Sequence, residues 1–278
     1  MNKIIMLCGD KRQEFAADYL KKENYEIEIF DPKRTSIKNL CDYKAIILPV
    51  PSTKDGHFLF SLCEEKKIAL YDILSSLSGQ LLIAGNYRPE YKNYIDICKR
   101  EDYKLLNAIP TAEAAICIAL QNISKTLWNS KILVVGNGNI GKALCIRLMR
   151  FGAQITVSAR KTNDFAYLDS LNIKHYNTND LSDIIGEFDI IFNTVPFPII
   201  KEKEIINCKK DCLLIELSSF PFGIDKEFAI NSGLKYVYAP ALPGKYFPET
   251  AGKILGICIK NILNENDLRS DNFFRSDG

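Results

Sequence analysis

Apolar runs separated by polar turns predict a chain of short buried strands and helices. The run at residues 132–135 has no polar break and suits a strand that is buried on both faces. Residues 142–149, which follow it, place apolar side chains at helical spacing. Further strand-like runs lie at residues 154–158, 174–176, 189–196, 212–217 and 236–238. The second half of the chain is therefore predicted to be an alternating β/α unit with six strands.

The first hundred residues repeat this pattern. Strands are predicted at residues 3–7, 25–30, 43–48 and 80–84, helices at 14–23 and 91–100, and a short last strand at 103–106. These strands would form a small parallel sheet of four or five members. Pro110 is expected to end the preceding segment, with a hinge at residues 107–111. Thr111 is expected to cap a helix that is apolar nearly all round and therefore buried between two domains.

The predicted fold class is α/β, with two Rossmann-like parallel-sheet domains arranged as in the 2-hydroxyacid dehydrogenase type. Residues 1–110 form an N-terminal, substrate-side domain, which a C-terminal helix at 250–264 completes by packing back on it. Residues 111–127 form the interdomain helix and residues 128–249 form the second Rossmann domain. Residues 265–278 are charged, lack periodicity and are expected to be a loose tail.

A glycine-rich turn joins the strand at residues 132–135 to its helix. Its sequence is Gly136-Asn137-Gly138-Asn139-Ile140-Gly141. In a dinucleotide-binding unit the first glycine makes the tight turn, the second lets backbone approach a pyrophosphate, and the third lets helix and strand pack closely. The helix N-terminus then offers free N–H groups to an anion. The alternative is a turn whose glycines only relieve packing.

Two cations follow the strand at residues 154–158. In this position an NAD-binding unit usually carries an acidic residue for the ribose 2′-hydroxyl, whereas this chain has Arg160 and Lys161 just after Ser158. A guanidinium grips a phosphate through two parallel hydrogen bonds, so we expect NADP as the cofactor, with NAD less favoured. The alternative is that both cations are solvated loop charges. Further cofactor contacts are expected at the ends of later strands, at Thr194, Val195, Pro196 and Ser218.

Composition excludes several function classes. A net charge of +2 over 278 residues gives no basic excess for nucleic acid, and no apolar run approaches the length of a membrane span. The N-terminus turns polar too soon for a signal peptide. Nine cysteines without CxxC pairs indicate reduced core residues in a cytoplasmic protein. The two histidines, His57 and His175, leave little material for a metal site or a Ser/His/Asp triad, so no metal is expected.

Polar residues that follow the first strand are candidates for a substrate site. Asp10, Arg12 and Gln13 stand at the carboxyl end of that strand, where open α/β sheets bind ligands. Asp10 is equally suited to cap the next helix, and Arg12 could be a surface charge. Thr111 and Glu113 begin the predicted interdomain helix, so they either contact substrate or only form its cap.

Five motifs, in order along the chain, resemble those of the family of dipicolinate synthase A subunits. They are Gly9-Asp10-x-Arg12-Gln13, Ile46-Ile-Leu-Pro49-Val50, Asn107-x-Ile109-Pro110-Thr111-x-Glu113, Ala239-Pro240-x-Leu242-Pro243-Gly244 and Pro248-x-Thr250-Ala251-Gly252. The resemblance covers the chain up to about residue 263. It implies a sporulation enzyme of the bacterial mother-cell cytoplasm that oxidises a dihydrodipicolinate species, derived from 4-hydroxy-tetrahydrodipicolinate, to dipicolinate with NADP. It also implies a second, flavoprotein-like chain, the dipicolinate synthase B subunit.

The chain departs from the family pattern at two places. Where family members often carry Arg and Gly, it has Phe220-Pro221-Phe222-Gly223, and its glycine loop has Asn137 and Asn139 instead of Leu and Arg. If the family's arginine binds a substrate carboxylate, this chain must use another cation, for which the candidates are Arg12, Arg88 and Lys245. We expect Asp10, Arg12 and Glu113 to be catalytic. The residues expected to contact substrate are Arg12, Gln13, Pro49, Thr111 and Lys245.

Two alternatives stay open. A 2-hydroxyacid or amino-acid dehydrogenase would need a histidine or lysine as acid/base, and the cofactor domain offers only His175 among histidines. A non-catalytic NADP-binding subunit that serves a partner cannot be separated from an enzyme by sequence, and formation of a homo-oligomer also stays open.

Overall fold

The computed structural model describes residues 3–7, 9–30, 40–61 and 67–268 of the chain. These residues form two compact units. The first unit combines Met1–Asn107 with Pro243–Gly278, and the second is Ala108–Leu242. Each contains one parallel β-sheet flanked by helices. The predicted α/β class with two parallel sheets is confirmed.

The elements follow one another as predicted for alternating β/α units. The strands are β1 (Ile4–Leu7), β2 (Ile27–Phe30), β3 (Ala45–Ile47), β4 (Leu81–Ala84), β5 (Tyr94–Asp96), β6 (Lys131–Val135), β7 (Gln154–Ala159), β8 (Lys174–Asn177), β9 (Ile190–Asn193), β10 (Leu213–Glu216) and β11 (Lys235–Tyr238). The helices are α1 (Lys11–Lys22), α2 (Leu70–Ser75), α3 (Glu101–Asn122), α4 (Asn139–Arg150), α5 (Thr162–Ser170), α6 (Glu202–Ile206), α7 (Lys226–Asn231), α8 (Leu242–Tyr246) and α9 (Pro248–Glu265).

The first sheet has the strand order β2-β1-β3-β4-β5, with every pair parallel. Strands β1, β3 and β4 are buried along their whole length, and their successive side chains point to opposite faces of the sheet. Ile4 and Met6 face a core that includes α1 and α9, whereas Ile5 and Leu7 face a second core that includes α2. Strand order reverses between β1 and β3, so the carboxyl ends of these strands mark the expected ligand position of this unit.

Helix α9 packs against α1 at very close range. A Cβ atom on Gly252 would lie 2.5 Å from the Cβ of Phe15, and one on Gly256 would lie 2.8 Å from the ring of Tyr19. Buried α9 side chains therefore enter the core of the first unit. The helix end is held by a 2.7 Å hydrogen bond from the Tyr25 hydroxyl to Asn264.

The second sheet has the order β11-β10-β9-β6-β7-β8 and is also parallel. Counted within this unit, the order is 3-2-1-4-5-6, which is the order of dinucleotide-binding sheets. It reverses between β6 and β9. The glycine loop after β6 and the residues after β9 therefore meet at the carboxyl edge, where such sheets bind ligands.

The predictions for residues 91–111 are wrong in their secondary structure. A helix is predicted at residues 91–100, but the chain forms β5, which pairs with β4, and a 3-10 turn at Ile97–Lys99 that Asp96 caps. The predicted strand at residues 103–106 lies inside α3. This helix continues through Pro110, so the predicted hinge at residues 107–111 and the predicted cap at Thr111 are interior helix positions.

Burial explains why α3 tolerates its proline. Pro110 has no N–H to donate, and a proline inside a helix costs about 3 kcal/mol. On both sides of it the helix buries apolar side chains, among them Ala108, Ala112 and Ala115. Each buried Å² of apolar surface contributes about 25 cal/mol, so packing outweighs the lost hydrogen bond.

Helix α3 is long and apolar enough, by length and composition alone, to cross a membrane. In its most apolar window, 56% of the residues are buried inside the protein. The predicted tail at 265–278 lies mostly outside the described residues, which end at 268. Glu265 itself ends α9 and accepts hydrogen bonds from Arg100 at 2.6 and 2.9 Å.

Candidate functional site

The three glycines of the loop after β6 have three different surroundings. Gly136 has a φ of +100°, and a Cβ there would lie 2.6 Å from Thr194 Oγ1. A Cβ on Gly141 would lie 2.1 Å from the Gly136 carbonyl oxygen. By contrast, a Cβ on Gly138 would meet nothing within 4 Å. Gly136 is therefore required by its backbone conformation and by close packing, and Gly141 is required by close packing. The space next to Gly138 is open to a ligand.

Helix α4 presents an uncapped N-terminus to this open space. Its N-cap residue, Gly138, has no side chain to accept from the first-turn N–H groups. The Lys142 N–H is the first to bond back, at 2.9 Å to the Gly138 carbonyl. The N–H groups of Asn139, Ile140 and Gly141 precede that bond, so the helix start is suited to bind an anion.

A cleft of about 270 Å³ lies at this edge of the second sheet. Its lining residues come from the glycine loop, from the end of β7 with the start of α5, and from the residues after β9. They are Gly136, Asn137, Gly138, Ser158, Ala159, Arg160, Lys161, Asp164, Thr178, Thr194, Val195, Pro196 and Ile199. Ser158 Oγ and Asn137 Oδ1 are buried without a hydrogen-bond partner. Since buried polar atoms are normally paired, these two atoms fit a cleft that receives a polar ligand such as a dinucleotide.

Some of the residues expected to contact the cofactor line this cleft, whereas others lie outside its lining. Arg160 and Lys161 line the cleft and are exposed. Asn139 and Ile140 belong to the first turn of α4, and neither lines the cleft. Ser218 is buried away from the lining, where its hydroxyl donates to the Ser219 carbonyl at 3.3 Å.

Sequence reasoning missed Asp164 and Thr178, which also line the cleft. Asp164 lies in the first turn of α5, and its Oδ1 accepts a 3.1 Å hydrogen bond from the Asn137 side chain. The sequence signal for Asp164 is a carboxylate a few residues beyond the cations that follow β7.

A buried carboxylate supports the next loop. Glu216, at the end of β10, is fully buried and accepts from the Asn193 side chain at 2.7 Å. It also accepts from the backbone N–H groups of Ser218, Gly223 and Ile224 at 2.9 to 3.0 Å. This loop is thus fixed from beneath by one side chain, which the sequence analysis did not single out.

In the first unit, Asp10 and Arg12 form an ion pair at the carboxyl end of β1. Arg12 donates to both carboxylate oxygens, with Nη2 at 2.7 Å and Nε at 3.0 Å, and also to the Val50 carbonyl. Burial lowers the pKa of the guanidinium, but the hydrogen bonds and charge of Asp10 outweigh it, so the pKa is raised. Asp10 also caps α1, as the capping alternative predicts, and its functional role stays a prediction that the cap does not conflict with.

Gln13 completes a capping box with Asp10. Its Oε1 accepts from the backbone N–H of Asp10 at 2.8 Å and lies 3.4 Å from the N–H of Gly9. Its Nε2 is buried without a partner. The amide oxygen is therefore occupied by the fold, and only the amide nitrogen is available to a ligand.

The loops that follow β1, β3 and β4 pack closely against one another at the carboxyl edge of the first sheet. A Cβ on Gly9 would lie 2.5 Å from Pro49, and one on Gly85 would lie 2.8 Å from Val50. The Ser52 hydroxyl donates to the Pro49 carbonyl and accepts from the Gly85 N–H, both at 2.9 Å. The carboxyl ends of β1, β3 and β4 are thus held in one rigid arrangement.

The remaining candidates lie in different surroundings. Gly244 abuts Arg12, since a Cβ on this glycine would lie 3.0 Å from Arg12 Nε, and the exposed Lys245 is the next residue. Glu113 is half-exposed and accepts from Arg147 at 3.0 Å, while Thr111 is buried in the same helix.

The last candidates are Arg88 and the two histidines. Arg88 and His57 are exposed. His175 stacks on Phe165 and lies 2.9 Å from Asp169, which is a structural setting at the sheet edge.

The fold and the cleft define a class. The second unit is a dinucleotide-binding unit of the dehydrogenase type, and residues 118–237 match the family model described as Shikimate / quinate 5-dehydrogenase. Residues 3–106 match the family model for the N-terminal domain of the dipicolinate synthase A subunit.

The comparisons extend over both units. The chain is 27% identical to the dipicolinate synthase A subunit of Bacillus subtilis over 231 residues, which cover 80% of this chain and 78% of the relative. The crystal structure of the A chain of dipicolinate synthase from that organism matches with a TM-score of 0.85 at 26% identity, over 95% of this chain and 96% of that one. The resemblance indicated by the motifs is confirmed: the chain is a homologue of the dipicolinate synthase A subunit.

A more distant likeness concerns the fold alone. A D-isomer specific 2-hydroxyacid dehydrogenase from Lactobacillus delbrueckii matches with a TM-score of 0.56 at 13% identity, over 96% of this chain and 98% of that one. The expected similarity in fold to the 2-hydroxyacid dehydrogenase type is confirmed.

Proposed function

We propose that this chain is part of a dipicolinate synthase that dehydrogenates a dihydrodipicolinate species to dipicolinate, with NADP as the acceptor. The observation that carries the proposal is the open space at Gly138 beside an uncapped helix start, in a homologue of the dipicolinate synthase A subunit. The reaction would serve sporulation, in the mother-cell cytoplasm.

The second unit would hold the dinucleotide. Backbone N–H groups at the start of α4 bind its pyrophosphate, and Thr194, Val195 and Pro196 border its nicotinamide half. Arg160 and Lys161 bind a 2′-phosphate, which favours NADP over NAD. When bound, the cofactor supplies the hydride acceptor.

The first unit would supply cations for a dicarboxylate. Arg12 is fixed by Asp10, so it presents its remaining N–H groups in a set orientation. Lys245 follows the glycine that abuts Arg12, and it forms no ion pair with a described residue. Gln13 Nε2, Pro49 and Thr111 are the further proposed substrate contacts.

Dehydrogenation of the dihydropyridine ring removes one hydride and one proton and leaves an aromatic ring. The proton must pass to a base, and the candidate carboxylates are Asp10 and Glu113. Each is paired with an arginine, Asp10 with Arg12 and Glu113 with Arg147. The arginine orients each carboxylate and leaves lone pairs free to accept a proton, so Arg12 is part of the proposed catalytic group with Asp10.

Absorbance at 340 nm tests the proposal directly. Purified chain is mixed with NADP and freshly made dihydrodipicolinate precursor, with and without the flavoprotein-like B subunit that we propose as its partner. A signal from the chain alone supports catalysis by this chain, and a signal only with the partner makes it the cofactor-binding half of the enzyme. No signal in either mixture, with NADP binding intact, overturns the proposal in favour of a 2-hydroxyacid or amino-acid substrate.

A further inference from the structure

The cofactor cleft contains a carboxylate between its cations and the glycine loop. Asp164 lines the same cleft as Arg160 and Lys161, and lies three residues beyond Lys161 in the first turn of α5. In the described part of the chain Asp164 pairs with no lysine or arginine. Its charge is therefore not cancelled by a salt bridge, and it acts on any anion that enters the cleft.

Asn137 fixes the orientation of this carboxylate. Its amide nitrogen donates to Asp164 Oδ1 at 3.1 Å, while its own Oδ1 is buried without a partner. Ser158 Oγ, in the same lining, is also buried without one. The cleft thus offers oxygen acceptors at Asp164 and Asn137 together with the exposed cations Arg160 and Lys161.

The two sets of groups favour different ligands. Cations stabilise a phosphate on the adenosine ribose, whereas a carboxylate repels it. Carboxylate and amide oxygens accept from a ribose hydroxyl, which only the cofactor without the phosphate presents there. A cleft with both sets of groups therefore discriminates less strongly between NADP and NAD than a cleft that has the cations alone.

We propose that Asp164, oriented by Asn137, is a specificity-determining residue that limits the preference for NADP and allows NAD to bind as well. This inference rests on the proposed function, because it requires that the cleft binds a nicotinamide dinucleotide. The proposal places the acidic residue in the first turn of α5, whereas an NAD-binding unit usually carries it at the end of the preceding strand.

The test measures dissociation constants of NADPH and NADH by fluorescence for the wild type and for Asp164→Asn. The asparagine keeps the shape and can still accept from Asn137, but it removes the charge. We expect NADPH to bind about fivefold tighter, with the gain shrinking at high salt, and NADH to bind no tighter than before. Asp164→Ser is a second neutral variant, since serine is well tolerated in a first helical turn.

Asp169→Asn is the matched control. It removes the same charge from the same helix, but Asp169 is exposed and does not line the cleft. An NADPH/NADH ratio that stays constant in both Asp164 variants, or that changes equally in Asp169→Asn, overturns the inference while leaving the proposed function intact. Failure of the wild type to bind either dinucleotide overturns both.

Discussion

The side-chain amide of Asn193 donates a 2.7 Å hydrogen bond to the carboxylate of Glu216, and both residues are fully buried. They end the neighbouring strands β9 and β10. A Cβ on Gly223 would lie 2.2 Å from the same amide nitrogen, so the loop after β10 closes directly over the pair. Among the described residues, the buried carboxyl group of Glu216 accepts from one side-chain and three backbone N–H donors, and it thereby holds the carboxyl edge of the sheet in shape.

Replacing Glu216 by Gln tests this support. Its four N–H donors would then face a group that itself carries two donors, and each buried donor left unpaired costs about 1–3 kcal/mol. We expect the second unit to lose about 3 kcal/mol of unfolding free energy. Fluorescence of Trp128, the single tryptophan, follows urea unfolding of this unit. Glu227→Gln, an exposed site on α7, should change stability by less than about 0.5 kcal/mol.

Replacing Gly138 by alanine distinguishes an effect on dinucleotide binding from an effect on folding. Because a Cβ there meets no atom within 4 Å, Gly138→Ala should fold normally but weaken dinucleotide binding at least tenfold, measured by titration of NADPH fluorescence. Gly141→Ala, whose Cβ would lie 2.1 Å from the Gly136 oxygen, should instead lower the unfolding midpoint. Normal affinity in Gly138→Ala would contradict the assignment of this loop.

Arg160→Asp should reverse the phosphate preference. A carboxylate repels the 2′-phosphate, so NADP should bind about ten- to a hundredfold more weakly while the Kd of NAD changes little. Isothermal titration with both cofactors measures this. Equal affinities for the two cofactors in wild type and variant would show that Arg160 is only a solvated charge.

Arg12→Lys should impair the substrate step without affecting the cofactor. Lysine keeps the charge but loses the two-oxygen contact with Asp10 and the fixed fork. We expect kcat/KM for the dicarboxylate to fall about a hundredfold, with an unchanged Kd for NADPH. The neighbouring exposed Lys11 gives the control Lys11→Arg. A kcat/KM equal to wild type in Arg12→Lys would remove Arg12 from the proposed substrate site.

Asp189 makes the second unit acid-sensitive. Burial raises the pKa of this carboxyl, but Lys125, Lys209 and the Lys131 N–H outweigh it and lower the pKa to about 2. A depressed folded-state pKa gives stability that is complete above the unfolded value near 3.8 and is lost as pH falls toward 2. Asp189→Asn should therefore be less stable at pH 6 and show a flatter stability profile between pH 4 and 2, followed by Trp128 fluorescence.

The local pattern of apolar residues was sufficient to predict most strands of the two sheets. Runs such as those of β6 and β10 are apolar because both faces are covered, so their position follows from the sequence without tertiary information. The glycine loop could also be predicted, since its spacing is imposed by backbone geometry that holds in any such unit.

The features that the sequence analysis predicted wrongly or missed depend on tertiary contacts. Pro110 would end an isolated helix, and only packing along α3 keeps it in the interior. β5 is short, and its pairing with β4 is a long-range contact that periodicity does not contain. Glu216 and Asp164 were missed because their roles depend on which donors and cations the fold brings near them, and a carboxylate has the same appearance in a sequence whether buried or solvated.

The place of α9 in the first unit has a consequence for synthesis on the ribosome. Six α9 side chains belong to the core of a unit whose other members lie in the first 107 residues; they are Ile254, Leu255, Cys258, Ile259, Ile262 and Leu263. At about 5–20 residues per second, translation of the intervening stretch of about 140 residues takes about 7–28 s. The second unit is contiguous and can fold during that time. The N-terminal sequence emerges first but is completed last, and its unfinished core is the surface that nascent-chain chaperones would have to protect.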